Sequence, residues 1–267
     1  MNKTHIYNIM GRIALLFFLT GMTLAVNAGP ETAKATSSAV TKADADSAYT
    51  RQQYQKAIRC YEQVLKDGVN ADIYYNLGNA YYRTGDFTHA VLNYERALLL
   101  NPGNKDIRFN LQLARSKTVD KITPESEMFF VTWYHSLTNI MSVDGWATTA
   151  LTSLALAIGL FLLYLFSDAI WRRKVGFFGS LLMIAMFVFA NVFAFQQNKI
   201  LSERTGAIVM SGAAPVKSTP ATNGTDLFIL HEGTKVNIIE EFSNLWMKVR
   251  VSDGKEGWIA AKDIERI

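Results

Sequence analysis

Two uncharged stretches, Trp146–Phe166 and Val175–Phe195, set the strongest limit on what this chain of 267 residues can fold into. Each has the length a helix needs to cross roughly 30 Å of hydrocarbon, which a buried core helix rarely reaches. The residues between them, 167–174, are too few for anything but a tight helical hairpin. Trp146 and Trp171 stand at the ends of the first stretch and its loop, where interfacial aromatics are expected. The reading is transmembrane helices at 146–166 and 175–195 joined by a cytoplasmic loop at 167–174.

A third apolar segment, Ile13–Val26, is about fourteen residues, too short to span. It follows Lys3 and Arg12 and ends in Val26-Asn27-Ala28, a small-residue cleavage pattern. Residues 1–28 therefore read as a secretory signal peptide cut after Ala28, with an uncleaved anchor as the alternative. The absence of a cysteine just beyond that point argues against a lipoprotein signal.

Charge gives the orientation. The chain carries a formal +4. Residues 29–145 hold 13 basic and 13 acidic side chains, and residues 199–267 hold 9 of each. The excess sits in 1–28 and 167–174, next to apolar segments. Arg172, Arg173 and Lys174 thus place the hairpin tip in the cytoplasm and both flanking regions outside, on the periplasmic face of a bacterial inner membrane. A nucleic-acid surface would put the basic excess within a folded domain, so none is expected.

Residues 29–42 are Ala-, Thr-, Ser- and Lys-rich without period and read as a flexible tether. A helical period begins at Ala43, and residues 71–104 form a 34-residue unit. Tyr74, Leu77, Gly78, Tyr81, Ala90, Tyr94, Ala97 and Pro102 occupy the eight signature positions of the tetratricopeptide repeat, which this unit closely resembles. Gly78 and Ala90 are small enough for helices at about 72–84 and 88–99 to cross closely, and Pro102 stops the second. A weaker copy at 43–70 has Tyr54, Ala57, Ile58, Tyr61 and Val64 thirty-three positions upstream, with Ala45 in place of the signature glycine. Residues 105–117 read as a capping helix.

The resemblance implies a peptide groove lined by the first helix of each repeat: Asp72, Tyr75, Asn79, Tyr82 and Arg83, with Tyr49 from the first repeat and Phe109 from the cap. The competing reading has Tyr75 and Tyr82 packing between repeats. Two repeats and a cap fall short of the three or so that a free-standing solenoid needs, so this domain is expected to dock on a partner or on its own membrane segment. Within the linker at 118–145, Phe129, Phe130, Trp133, Leu137, Ile140 and Met141 fall near helical spacing. They suit a helix lying in the membrane interface or one packed under the repeats.

Residues 196–267 change character. Short alternating runs at Ala207–Val209, Lys235–Ile239, Trp246–Val251 and Gly257–Ala261, with turns at Gly233, Asp253-Gly254 and Gly257, predict a small all-β barrel of five or so strands. The sequences Leu230–Val236, Trp246–Val249 and Gly257-Trp258-Ile259 resemble bacterial SH3-like (SH3b) domains. That resemblance implies a ligand groove among Phe228, Phe242, Trp246 and Trp258; the alternative makes both tryptophans core residues. Family ligands include cell-wall peptides and protein segments.

Catalytic chemistry is not expected. His5, His89, His135 and His231 lack metal-ligand spacing, and Cys60 is the sole cysteine, so neither a zinc site nor an intramolecular disulfide follows. No phosphate loop or nucleophile elbow occurs, and neither cofactor nor metal is expected. The fold class is a multi-domain membrane protein: an all-α tetratricopeptide-repeat solenoid, a two-helix transmembrane hairpin and a small all-β SH3-like barrel. That order of parts resembles the BatE-type family of the aerotolerance (Bat) operons. It implies a scaffold beside membrane-anchored von Willebrand A-type Bat proteins, linked to oxygen or stress tolerance. The alternative is a peptidoglycan tether acting through the SH3b domain.

Overall fold

The computed structural model describes residues 40–123, 125 and 128–267. The expected signal peptide and nearly all of the tether lie outside the described residues.

Five antiparallel helices open the described chain: α1 (Lys42–Thr50), α2 (Tyr54–Leu65), α3 (Ala71–Thr84), α4 (Phe87–Leu100) and α5 (Lys105–Arg115). Four begin at a residue whose side chain accepts from the otherwise unpaired first amides: Thr41, Asn70, Asp86 and Asn104. The Thr41 backbone N–H in turn donates to the Asp44 carboxylate and completes a capping box. The crossing of α3 and α4 is so close that a Cβ on Gly78 would lie 2.7 Å from the Tyr94 ring. In the first repeat Ala45 and Tyr61 hold the matching positions, both buried.

The repeat is also visible in its polar contacts. The Tyr61 hydroxyl donates to Asp46 at 2.6 Å, and the Tyr94 hydroxyl to Asn79 at 2.7 Å, each partner thirty-three positions on. The Asn76 amide donates to Asp46, and the Asn110 amide from α5 donates to Asn79. Helix α5 thus supplies to the second repeat what α3 supplies to the first.

Next come α6 (Phe129–Thr138), which lies within the linker, α7 (Val143–Phe166) and α8 (Ile170–Glu203). Helices α7 and α8 are long and apolar enough to cross a membrane, and most of their surface is exposed. They meet through small residues: Ala150, Ser153 and Ala157 on α7, Gly176, Ser180 and Ala190 on α8. Three expectations change here. The connection is only 167–169, because α8 starts at Ile170 and takes Trp171, Arg172, Arg173 and Lys174 into its first turns, where Arg173 lies over the Tyr164 ring. Trp146 faces inward instead of outward: it is 5% exposed, packs on Phe193 and donates its indole N–H to the Thr138 carbonyl. Helix α8 also runs eight residues past Phe195, so 196–203 extend the helix instead of opening the barrel.

The remainder is a seven-stranded antiparallel sheet in the order β3-β2-β6-β5-β4-β1-β7. Its strands are β1 (Gly206–Val209), β2 (Ala214–Lys217), β3 (Asp226–Leu230), β4 (Lys235–Phe242), β5 (Trp246–Val251), β6 (Glu256–Ala260) and β7 (Ile264–Arg266). All seven contribute to one buried aliphatic cluster, so the sheet curls around a single core. The expected count of about five strands was low because β7 has three residues, too few to show alternation.

The sheet packs directly on the repeats. Strand β1 is buried on both faces: Ala207 and Val209 enter the barrel core, while Ile208 enters the core formed by α4 and α5. Ile267 joins Ile208 there. Polar contacts ring this seam. Glu95, whose side chain is 4% exposed, accepts from Lys235 of β4 at 2.8 Å and pairs with Arg115 of α5. Arg96 pairs with Glu265 at 2.9 Å and donates to the Arg266 carbonyl, and Thr88 donates to Glu232. The linker start lies along the barrel: Asp120 accepts from the His231 amide and from the Thr234 hydroxyl, and Ile122 packs on the barrel core. The repeat domain therefore docks on its own barrel, whereas the short array led to the expectation of a partner or the membrane segment. The turn that leads into α7 adds an edge, where a Cβ on Gly103 would collide with the Ile140 carbonyl.

Burial alone would raise the Glu95 pKa, but Lys235 and Arg115 outweigh it and hold the carboxyl below its ordinary 4.5. The unfolded chain therefore binds more protons at acid pH. The seam's contribution is complete above pH 4.5 and falls away as pH drops through the depressed folded value. Asp120 behaves alike: burial opposes its ionisation, and the bonds from His231 and Thr234 prevail.

Two outcomes follow. Ile208→Ala in the full chain in detergent should cost about 3 kcal/mol by thermal or denaturant unfolding, as expected for deleting a fully buried isoleucine side chain. Glu95→Gln should cost about 2 kcal/mol at pH 7, the value of a hydrogen bond to a charged group, and the gap to the parent should shrink as pH falls below 4.5.

Candidate functional site

Helices α1, α3 and α5 lie side by side and form one face of the repeats, the face predicted to bind peptide. The predicted lining residues divide into two groups on this face. Asn79 is committed internally, accepting from both Tyr94 and Asn110. Tyr75 accepts from Asn110, and its ring lies 6.0 Å from that of Tyr94. Both act as rungs between α3, α4 and α5. The others are more available. Tyr49 and Tyr82 are half-buried, with ring neighbours on the adjoining second helices: Tyr54 at 5.4 Å and Phe87 at 5.4 Å. Arg83 is exposed beside the Tyr49 hydroxyl. Asp72 is exposed in the first turn of α3, and Phe109 is 66% exposed on α5. The surface that remains for a ligand therefore runs from Tyr49, Tyr82 and Arg83 toward Phe109, with tyrosines whose hydroxyls can still turn to a guest.

The signature residues occupy structural places. Leu77, Gly78, Ala90, Tyr94, Ala97 and Pro102 are buried. Tyr74 lies under the Arg96 guanidinium, and Tyr81 donates to Glu62 while stacking on His89 at 4.9 Å. Burial first, and then neighbouring tyrosines, push the Tyr94 pKa well above the ordinary phenol range, so it stays a neutral donor to Asn79 at any physiological pH.

On the barrel, the sheet separates the four predicted aromatics. Phe228 pairs across from Val216 and packs against the barrel core. Phe242, Trp246 and Trp258 lie on the opposite face, since Val249, Val251 and Ile259 of the same strands fill the core. Register brings these three together: Phe242 is opposite Trp246, and the Phe242 and Trp258 rings meet edge to face at 6.2 Å. Lys248 and Lys217 flank Trp258 across the strands. The tryptophans are therefore outside the core, and the outcome is a shallow aromatic platform edged by the ion pairs Lys217–Asp226 and Lys248–Glu256. Leu245, 67% exposed, extends it at the β4–β5 turn.

Sequence reading missed the residues that join repeats to barrel. Glu95 and Ile267 belong to no motif, and Ile208 and Lys235 lie in runs that mark them as strand residues without marking them as contacts to the repeats. One signal was present: α4 carries Val91, Leu92, Leu98, Leu99 and Leu100 around most of its circumference, more apolar surface than a helix with one buried side requires.

Comparison with known families identifies both kinds of module. Residues 71–104 match the family model "Tetratricopeptide repeat", residues 45–85 match "TPR repeat", and residues 212–265 match "Bacterial SH3 domain". A search of curated proteins finds no match to the chain. The chain joins tetratricopeptide repeats and two candidate membrane helices to a C-terminal bacterial SH3 domain.

Proposed function

We propose that this protein is a BatE-type scaffold of the inner membrane, acting by binding and not by catalysis. Its repeats and barrel stand together in the periplasm and hold membrane-anchored von Willebrand A-type Bat proteins in a complex that serves aerotolerance or stress resistance. The observation that carries the reading is the direct docking of barrel on repeats through Ile208 and Glu95. Two parts of a chain can make that contact only on one side of a bilayer, and the two candidate spans between them return the chain to the side it left. The basic cluster Arg172-Arg173-Lys174 at the far end supports a cytoplasmic hairpin tip. The exposed aromatics of α6, with Phe129 86% exposed, suit a helix lying in the interface before α7. Both matched modules are non-catalytic interaction domains, which supports the binding role.

In this reading the peptide of a partner lies along Tyr49, Asp72, Tyr82, Arg83 and Phe109. Crosslinking in native membranes should recover membrane-anchored von Willebrand A-domain proteins. The double substitution Arg83→Ala/Phe109→Ala should cut that yield about tenfold or more, the effect of losing an aromatic and an arginine anchor, at unchanged thermal stability because both side chains are exposed. Crosslinks to the chain alone would end the scaffold reading.

The aromatic platform favours a second reading, a tether to peptidoglycan through Phe242, Trp246 and Trp258. Detergent-solubilised protein should then be retained on isolated sacculi, with retention lost in Trp258→Ala. Absence of retention by the parent chain removes the tether.

A further inference from the structure

A cavity of about 680 Å³ opens where α4, α5, α6, the end of α8 and the start of β1 converge. Its charge is one-sided. Lys105, Arg108, Arg204 and Lys235 line it against a single carboxylate, Glu95. That carboxylate is already shared between Lys235 and Arg115. Lys105, Arg108 and Arg204 are exposed, and none forms an ion pair with a carboxylate among the described residues. Arg108 is steered toward the cavity side by a 2.7 Å bond to the Pro102 carbonyl.

Arg204 is informative on its own. It follows the last residue of α8 in a left-handed backbone, φ 42° and ψ 47°, the position where helices ordinarily place glycine.

Depth identifies the ligand class. Helix α8 leaves its uncharged stretch at Phe195, and Gln197, Ile200 and Arg204 then line the cavity. At 1.5 Å per residue these lie roughly 3, 7 and 13 Å beyond the apolar stretch. The headgroup layer on each side of the hydrocarbon is roughly 5–8 Å thick. Gln197 and Ile200 therefore fall within the headgroup layer and the Arg204 backbone just outside it, from where a long arginine side chain reaches back toward the phosphates.

We propose that this cavity binds the phosphodiester headgroup of an anionic phospholipid, held by Lys105, Arg108 and Arg204. The proposal rests on the reading of α7 and α8 as membrane spans. Binding would fasten repeats, barrel and juxtamembrane helices to the bilayer at one point, since all of them line the cavity.

The test uses the full chain in detergent, titrated with phosphatidylglycerol and followed by native mass spectrometry, with phosphatidylcholine and inorganic phosphate as the other probes. The expected result is saturable phosphatidylglycerol binding at least tenfold tighter than phosphatidylcholine, unaffected by equimolar inorganic phosphate. Lys105→Gln/Arg204→Asn should weaken it at least tenfold. Both positions are exposed, and asparagine tolerates the left-handed backbone, so circular dichroism should be unchanged; Arg108→Gln gives a second, independent loss. Equal binding of the two lipids, no effect of either variant, or displacement by equimolar phosphate overturns the proposal. Failure of the chain to resist carbonate extraction from membranes overturns the span reading beneath it, which lipid-selectivity data alone would not touch.

Discussion

One strand, β1, has to serve two hydrophobic cores, and the rest of the molecule is arranged around that constraint. Strand side chains alternate between faces, so three residues suffice: Ala207 and Val209 close the barrel, and Ile208 closes the repeats. Neither core is complete without the same backbone segment. A shift of one residue in the register of β1 would send Ile208 into the barrel and withdraw both of the others. The pairings of β1 with β4 and β7 on either side hold that register. Glu95 then acts as a selective lock, because a buried carboxylate is tolerated only where Lys235 and Arg115 arrive together.

This seam answers the problem posed by a short repeat array. Two repeats and a cap leave the outer side of α4 without a neighbour, and a solenoid usually meets that need with a third repeat. Here a β-sheet covers it. The partnership removes the seam side of α4 from any partner's reach and leaves the face of α1, α3 and α5 and the aromatic platform of the barrel as the accessible surfaces. Both surfaces are held in a fixed relation by Ile208, Glu95 and Arg96. A scaffold of two rigidly related binding faces differs from two modules on strings, since partners bound to it are positioned relative to each other.

Much of this was legible in the sequence because it rests on local pattern. The helix caps at Asn70 and Asn104, the small Gly78 under Tyr94, and the uncharged lengths of α7 and α8 each follow from side chains near in sequence. The barrel was legible from alternation, except where β7 is too short to show any. What sequence did not reveal depends on contacts far apart in the chain. Nothing local marks Ile208 as different from Ala207 or Val209. Phe228 and Trp258 look alike in sequence, yet Phe228 shares the face of Leu230 and packs against the core, while Trp258 alternates with Ile259 and stands outside it. Trp146 sits where an interfacial residue belongs, and only the proximity of Phe193 and Thr138 turns it inward.

The central claim is that repeats and barrel form one body on one face of a membrane, with the hairpin tip on the other. In a Cys60→Ala background, single cysteines at Asp67, Lys262 and Trp171, all exposed, report on the repeats, the barrel and the tip. A membrane-impermeant maleimide applied to sealed vesicles of known orientation should label the first two from the same side and the third only from the opposite side. Labelling of Asp67→Cys and Lys262→Cys from opposite sides would make contact between Ile208 and α4 impossible and would contradict the account.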